Sequence, residues 1–451
     1  MTLGPSPAAD PRPRSGWAGR ALAHRKRPLT RGVIGTAGLR SAATLFGFLV
    51  SLLLARVLGA AGYGVYAYSM AWVEVLAVIA VMGVDRLLVR EVASNVTLRS
   101  WGTLRGLLDA SRRAVLLVSV LLVAVAALVA RVAAGSGASD ALVPFLVSLL
   151  YLPPVALTRV RQAALQGFQH ILLGQVAESL VRPALFAGLV SISVVLFRSS
   201  VGVTWVLLMN VVAVAVSLVV ATGLLRRRIP PVVTDAEPRF LARPWARSAF
   251  YLLFASGVLI FNSRIGTIML GSILGADSVG VYAVAVQVSW FVLFVQFTVN
   301  TVIAPTLAGF HAAGDRGEMQ RVATKAARVA LAGALVTTAA FVLFGRWFLS
   351  LFGPEFVPGY GVLVALSAGL AVGSAVGPAV PALMMTGNER QAALGTAVGT
   401  AANLILCALL IPPWSAAGAA AAAIAAGVVR NAWFAVAVRR NTGIDPSVLG
   451  R

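Results

Sequence analysis

The sequence is short of the residues on which soluble enzymes and metalloproteins depend. Cysteine occurs once, as Cys407 within an apolar stretch, which excludes a disulfide framework and a cysteine metal site. The three histidines, His24, His170 and His311, fall in loops or tails without carboxylate partners. There is no G-x-S-x-G, no Walker A loop, no H-E-x-x-H and no D-x-D, so the common signatures of acyl transfer, nucleotide hydrolysis and metal–nucleotide sugar binding are missing. Gly62-Tyr-Gly64-Val-Tyr-Ala67 superficially fits a dinucleotide loop, but no strand precedes it, and it reads as a tight turn between two apolar helices. No catalytic residue, metal or cofactor is expected. Acidic residues are scarce as well, at 15 against 37 basic ones, leaving a net charge of +22. In a soluble chain that balance would suggest nucleic acid. Here the arginines gather in alternate loops between apolar runs, so no nucleic-acid partner is expected.

What is abundant is apolar length. Of 451 residues, 59% are hydrophobic, with a mean hydropathy of +0.89, against 45–50% apolar in ordinary soluble domains. Runs such as 113–130 and 201–225 approach the roughly 20 residues that a bilayer span requires. The pattern predicts twelve transmembrane helices at 37–57, 65–85, 113–133, 141–160, 176–197, 201–225, 248–274, 280–304, 326–348, 359–385, 392–411 and 416–438. Arginine clusters follow the second helix (Arg86 to Arg113), the sixth (Arg226 to Arg247) and the eighth (Arg316 to Arg328), whereas the loops 58–64 and 412–415 carry no charge. The positive-inside rule then places both termini in the cytoplasm. Residues 1–36, basic and proline-bearing, read as a disordered cytoplasmic tail and not as a cleaved signal.

The chain repeats itself. Residues 58–67, LGAAGYGVYA, return as 274–283, LGADSVGVYA, with seven of ten positions identical at an offset of 216. The same offset carries Ser199–Gly202 onto Ser415–Gly418. The expected fold is therefore an all-α integral membrane protein of two pseudo-symmetric six-helix lobes sharing one orientation, with their axis along the membrane normal. The division is an N-lobe at 37–225, a cytoplasmic linker at 226–247, a C-lobe at 248–438 and a cytoplasmic tail at 439–451.

Ionisable residues inside such helices are costly and so attract attention. Arg264, within Asn262-Ser263-Arg264 of the seventh helix, is too deep to snorkel comfortably and reads as a cation lining a central cavity. Arg40 and Arg56, toward the two ends of the first helix, either join that cavity or snorkel to an interface. Glu74, near the middle of the second helix, suits a protonatable coupling site or a partner for an arginine on a neighbouring helix. Glu178 and Arg182 have the spacing of an intrahelical ion pair. Arg430 snorkels, and Gln287, Gln296 and Asn300 either line the path or glue helices together.

Ala55-Arg56-Val-Leu58-Gly59-Ala-Ala-Gly-Tyr-Gly64-Val-Tyr66-Ala, with Gly83-Val-Asp-Arg86 and Arg90-Glu-Val-Ala after it, resembles the Wzx-like polysaccharide flippases. These belong to the MATE-like multidrug/oligosaccharidyl-lipid/polysaccharide exporter superfamily. The second-half stretch Met269-Leu-Gly271 through Tyr282-Ala resembles the matching family segment, and Leu165-Gln-Gly167 and Met385-Thr-Gly387 sit where the family often turns. The resemblance spans 37–438. It implies a translocase of the cytoplasmic membrane that flips an undecaprenyl-pyrophosphate-linked oligosaccharide to the outer leaflet, with Arg264, Arg40, Arg56 and Asn262 toward the substrate and Glu74 in coupling or an ion pair. Membrane lipids and the glycan polymerase machinery are the partners it implies. Position 266, where the family often has an acidic residue near this arginine, is glycine here, which would leave Arg264 without its usual carboxylate. A multidrug exporter and a lipid II-type flippase of the same fold remain alternatives; the excess of in-helix arginine favours an anionic cargo.

Overall fold

In a computed structural model the described residues are mostly helical, with backbone described for residues 17–134, 141–197 and 201–450 and side chains from Leu45 onward, except at 197, 242–243, 250–251 and 254–256. No strand occurs among the described residues. This is the outcome expected of a chain in hydrocarbon, where every backbone N–H and C=O must be satisfied within its own segment.

Among the described residues ten helical stretches are long and apolar enough to cross a membrane, and two of them are broken, which gives twelve spans. They are α1 (17–58), α2 (60–97), α3 (Trp101–Ala134), α4 (Leu142–Gly167), α5 (Ile171–Leu196) and α6 (Val203–Arg226). The second half comprises α7 (Ala242–Leu274), α8 (Ala276–Ala313), α9 (Arg316–Ser350), α10 (Pro354–Ser374), α11 (389–414) and α12 (416–442). The α1–α2 break is Gly59, at φ +66°, a conformation in which a Cβ would be strained. Its repeat counterpart Gly275 makes the α7–α8 break at φ +99°. In α11–α12 the break is Ser415, φ +50°, just after Pro412 and Pro413.

Two boundaries correct the sequence-based expectation. Residues 17–36, expected as a disordered tail, continue α1 as helix, because adding alanine, leucine and arginine to an existing helix costs little; residues 1–16 lie outside the described residues. The second helix also does not end at 85: after a left-handed turn at Met82 and Gly83 it resumes over Val84–Thr97. The linker is pinned to the N-lobe, where the Arg105 guanidinium donates to the Thr234 and Ala236 carbonyls and Arg239 N donates to Gly102 O at 2.9 Å.

Packing divides the molecule by depth. Toward the extracytoplasmic side one buried cluster unites both lobes, joining Leu54, Tyr63, Phe186 and Val206 to Val288, Phe341, Phe352 and Phe356. Toward the cytoplasm the cores divide, one around Leu88, Leu104 and Leu152, which also takes in Trp245 and Ala249 of α7, and another around Leu307, Met319 and Leu383. The lobes are thus joined broadly at their outer ends and, toward the cytoplasm, along α7.

Candidate functional site between the lobes

The repeat supplies the outer closure. Gly64 and Gly280, equivalent at the 216 offset, meet face to face: a Cβ on Gly64 would fall 2.5 Å from Ala276 O, and one on Gly280 only 1.9 Å from Ala60 O. Ala60 and Ala276 are themselves equivalent positions. Each half therefore seats its glycine on the other's carbonyl about a pseudo-twofold axis. Around this seat Arg56 Nε donates to Leu351 O at 2.7 Å, and Ala60 N donates to Glu355 Oε2 at 2.7 Å. Tyr63 donates to Gln287 at 3.1 Å, and Gln287 donates to Ser51 Oγ at 2.8 Å.

Below the seat, α2 and α7 run side by side toward the cytoplasm. Gly271 lies so close to the Tyr68 ring that a Cβ would sit 2.3 Å from it, and Gly83 is equally tight against the backbone of Ala249 and Leu253. Midway along this seam Arg264 Nε donates to Glu74 Oε2 at 2.7 Å. Both side chains keep solvent-accessible surface, 40% for the arginine and 34% for the carboxylate. They form a cross-lobe ion pair.

Glu74 thereby answers the question left by Gly266. The carboxylate absent from α7 is provided by α2 of the other lobe, so Arg264 is not left unpaired. A side chain at 266 would have no room, since its Cβ would lie 2.2 Å from the Tyr282 hydroxyl. Asn262 precedes Arg264 by two residues, about 200° around the helix, and lies on the flank turned away from it. Arg56 belongs to the outer closure, far along α1 from the pair. The Arg40 side chain lies outside the described residues. Of the five residues singled out, the structure brings together Glu74 and Arg264.

The N-lobe carries a second polar group that the sequence misjudged. Glu178 does not pair with Arg182; it faces Arg159 of α4 at 3.8 Å, while Arg182 donates to the Tyr151 hydroxyl. The cause is Pro183, which has no N–H to give the carbonyl of residue 179 and clashes with it. Over Ala177–Val181 the helix widens to a π turn, which rotates Glu178 away from Arg182. The Ala177 carbonyl in this turn accepts from Ser217 Oγ at 2.7 Å. Pro183 was the signal in the sequence. A cavity of about 300 Å³ opens beside Arg159 and Glu178, lined also by Asp85, Arg86, Gln162 and Gln166, with Ile260 of α7 at its edge. Gln287, Gln296 and Asn300 act as glue: Gln296 accepts from Ser374 at 2.8 Å, and Asn300 donates to Gly377 O at 3.2 Å. Arg430 lays its stem against Gly399, where a Cβ would come within 2.8 Å. No group of three or more potential ligands is placed to hold a metal among the described residues.

A family model of polysaccharide biosynthesis proteins matches residues 29–311, more than half of the chain. The chain belongs to that family. No curated protein matches it. Among solved structures it is similar to an inward-facing multidrug resistance MATE family transporter of the MOP superfamily, at TM-score 0.69 and 14% identity over 89% of this chain and 96% of the other. The lipid II flippase MurJ in its inward closed conformation gives TM-score 0.66 at 12% identity, covering 90% of this chain and 87% of that one. An outward-facing MATE family transporter gives 0.58 at 14% identity, over 90% and 94%. The fold is the MATE-like one, and its long apolar helices make the protein a multi-pass membrane protein. The outer closure described above shuts the seam between the lobes at that end.

Proposed function

We propose that this protein moves an undecaprenyl-pyrophosphate-linked oligosaccharide from the cytoplasmic to the outer leaflet of the cytoplasmic membrane by alternating access between its lobes. The observation that carries the reading is the accessible Arg264 guanidinium in the inter-lobe seam, 2.7 Å from its counter-ion. A pyrophosphate entering a partly dehydrated site needs such a donor, and arginine presents its N–H groups in the fork that phosphate oxygens match. The ion pair keeps that cation neutralised while the site is empty. The lipid tail stays in the bilayer, and no bond is broken. Glycan polymerase machinery on the outer face would consume the product.

The test is translocation of a fluorescent undecaprenyl-pyrophosphate oligosaccharide in proteoliposomes. Arg264→Ala should slow headgroup movement on the order of 10- to 100-fold, the weight of one or two hydrogen bonds to a charged group. Arg264→Lys should recover part of the rate. Because Arg264→Ala also strands Glu74, the double variant Glu74→Gln/Arg264→Gln separates loss of cargo binding from an unpaired carboxylate. Unchanged movement in all three variants would reduce Arg264 to a structural residue. Export of a cationic dye with no lipid movement would replace the reading with a drug exporter.

A further inference from the structure

We propose that Glu74 is a shared carboxylate that passes from Arg264 of the C-lobe to Arg182 of the N-lobe when the lobes part at their outer ends. This deepens the flippase reading and rests on it for the identity of the anion that drives the exchange.

Three observations meet at this residue. First, Glu74 is the N-lobe member of the ion pair that ties α2 to α7, at 2.7 Å. Second, Arg182 is an arginine in waiting: its Nε is buried and has no hydrogen-bond partner among the described residues. Its neighbour Glu178 faces Arg159, and the hydrogen bond that Arg182 makes goes to the Tyr151 hydroxyl, whose ring it also overlies. Third, Glu74 lies on the stripe of α2 that leads from the seam into the N-lobe. Tyr66, Met70 and Glu74 follow one another at helical turns on α2, and the first two meet Asn210 inside the N-lobe, at 3.4 and 3.7 Å. Glu74 is the next turn of that stripe, at the border between the N-lobe interior and the seam, within electrostatic range of Arg182.

The consequence follows from which parts move together. α2 and α5 belong to one lobe, and Arg264 belongs to the other. Outward opening must separate Glu74 from Arg264, and an unpaired carboxylate at mid-membrane is strongly disfavoured. The unused Arg182 N–H is the replacement partner that travels with it. An anionic headgroup bound to Arg264 displaces Glu74 toward Arg182 and dissolves the tie between lobes. A neutral or cationic molecule has no means of doing so. The charge of the cargo is thereby linked to the conformational step, and empty cycling is held back by the tie.

The relay is tested by a double-mutant cycle read on conformation. In a Cys407→Ser background, spin labels at Leu98→Cys and His311→Cys, both exposed cytoplasmic positions on opposite lobes, report the lobe separation in nanodiscs. Arg264→Gln should raise the outward-to-inward ratio about tenfold, and Arg182→Gln should lower it by a similar factor, within the usual range of coupling between sites. With Glu74→Gln already present, neither substitution should move the ratio. Arg182→Lys should retain part of the wild-type behaviour and covers the case in which Arg182→Gln fails to fold. Equal effects of Arg182→Gln with and without Glu74 would overturn the relay. So would a shift of the same sign from both arginines. Farnesyl pyrophosphate should move the wild-type ratio outward and farnesol should not; a response to both alike would also overturn it. These distances do not require cargo transport. If the cycle behaves as described while no lipid-linked glycan moves in proteoliposomes, the relay stands and the flippase reading fails.

Discussion

At the scale of single residues, the molecule depends on places where a side chain is missing. Gly64 and Gly280 have no clearance for a Cβ, the latter lying 1.9 Å from Ala60 O when one is built. A methyl there pushes the two repeats apart at the outer seat. Gly280→Ala should therefore hold the outer ends open: a cysteine placed at Ala61 should react with a membrane-impermeant maleimide several times faster than in the parent, with the fold intact. An unchanged rate would show that the seat yields elsewhere. Asp445 makes a different contribution. Burial works to raise its carboxyl, but the Arg439 guanidinium at 2.6 Å and the Ser447 N–H at 3.0 Å outweigh it, holding the group below its ordinary value of 3.8. A carboxyl depressed in the folded state stabilises above its unfolded pKa and loses that contribution as pH falls through the folded one. The tail that Asp445 helps to fix is bound by Gln320, by Arg328 to Val448 O and by Val448 N to Ala375 O at 3.1 Å. It should stay docked at neutral pH and loosen only in strong acid. Asp445→Asn should expose 443–450 to carboxypeptidase or faster amide exchange at neutral pH, and equal protection in the variant would assign the docking to the backbone bonds alone.

At the scale of elements, hydropathy sufficed for the twelve spans, because a bilayer imposes length and helicity on any apolar run. It did not suffice for helix interiors. The i, i+4 spacing of Glu178 and Arg182 predicted a pair that the π turn at Ala177–Val181 abolishes, since the rule presumes an unbroken 3.6-residue period. Pro183→Ala should let the segment relax toward α-helix and return Glu178 to Arg182. Transport should then drop roughly tenfold, as expected for the loss of one charge-assisted hydrogen bond, while thermal stability holds or rises. A variant with full transport would make the π turn incidental. The helical course of 17–36 and the continuation of α2 to Thr97 were likewise hidden, because arginine-rich stretches look like loops to a hydropathy scale but are good helix formers.

At the scale of the whole molecule, the repeat was the most informative part of the sequence, and it foretold more than topology. LGAAGYGVYA and LGADSVGVYA supply both positive-φ breaks, Gly59 and Gly275, and both halves of the outer seat. The Glu74–Arg264 contact was not legible, since two residues 190 positions apart on nonconsecutive helices leave no periodic trace. Arg264 was legible as an anomaly, a cation too deep for its helix, and Glu74 as one of two possible things. The structure makes it the arginine's partner.

The pair also has an address in the repeat. Shifted by 216, Glu74 becomes Trp290 and Arg264 becomes Phe48. Where one edge of the lobe contact is fastened by an ion pair, the equivalent edge between α1 and α8 is aromatic, with the Phe48 and Phe291 rings edge to face at 5.4 Å. A molecule that is two-fold in shape is thus one-sided in chemistry, like a door with its latch on one stile and its hinge on the other. Salt and anions act on the latch, whereas the hinge answers to the packing of hydrocarbon around it.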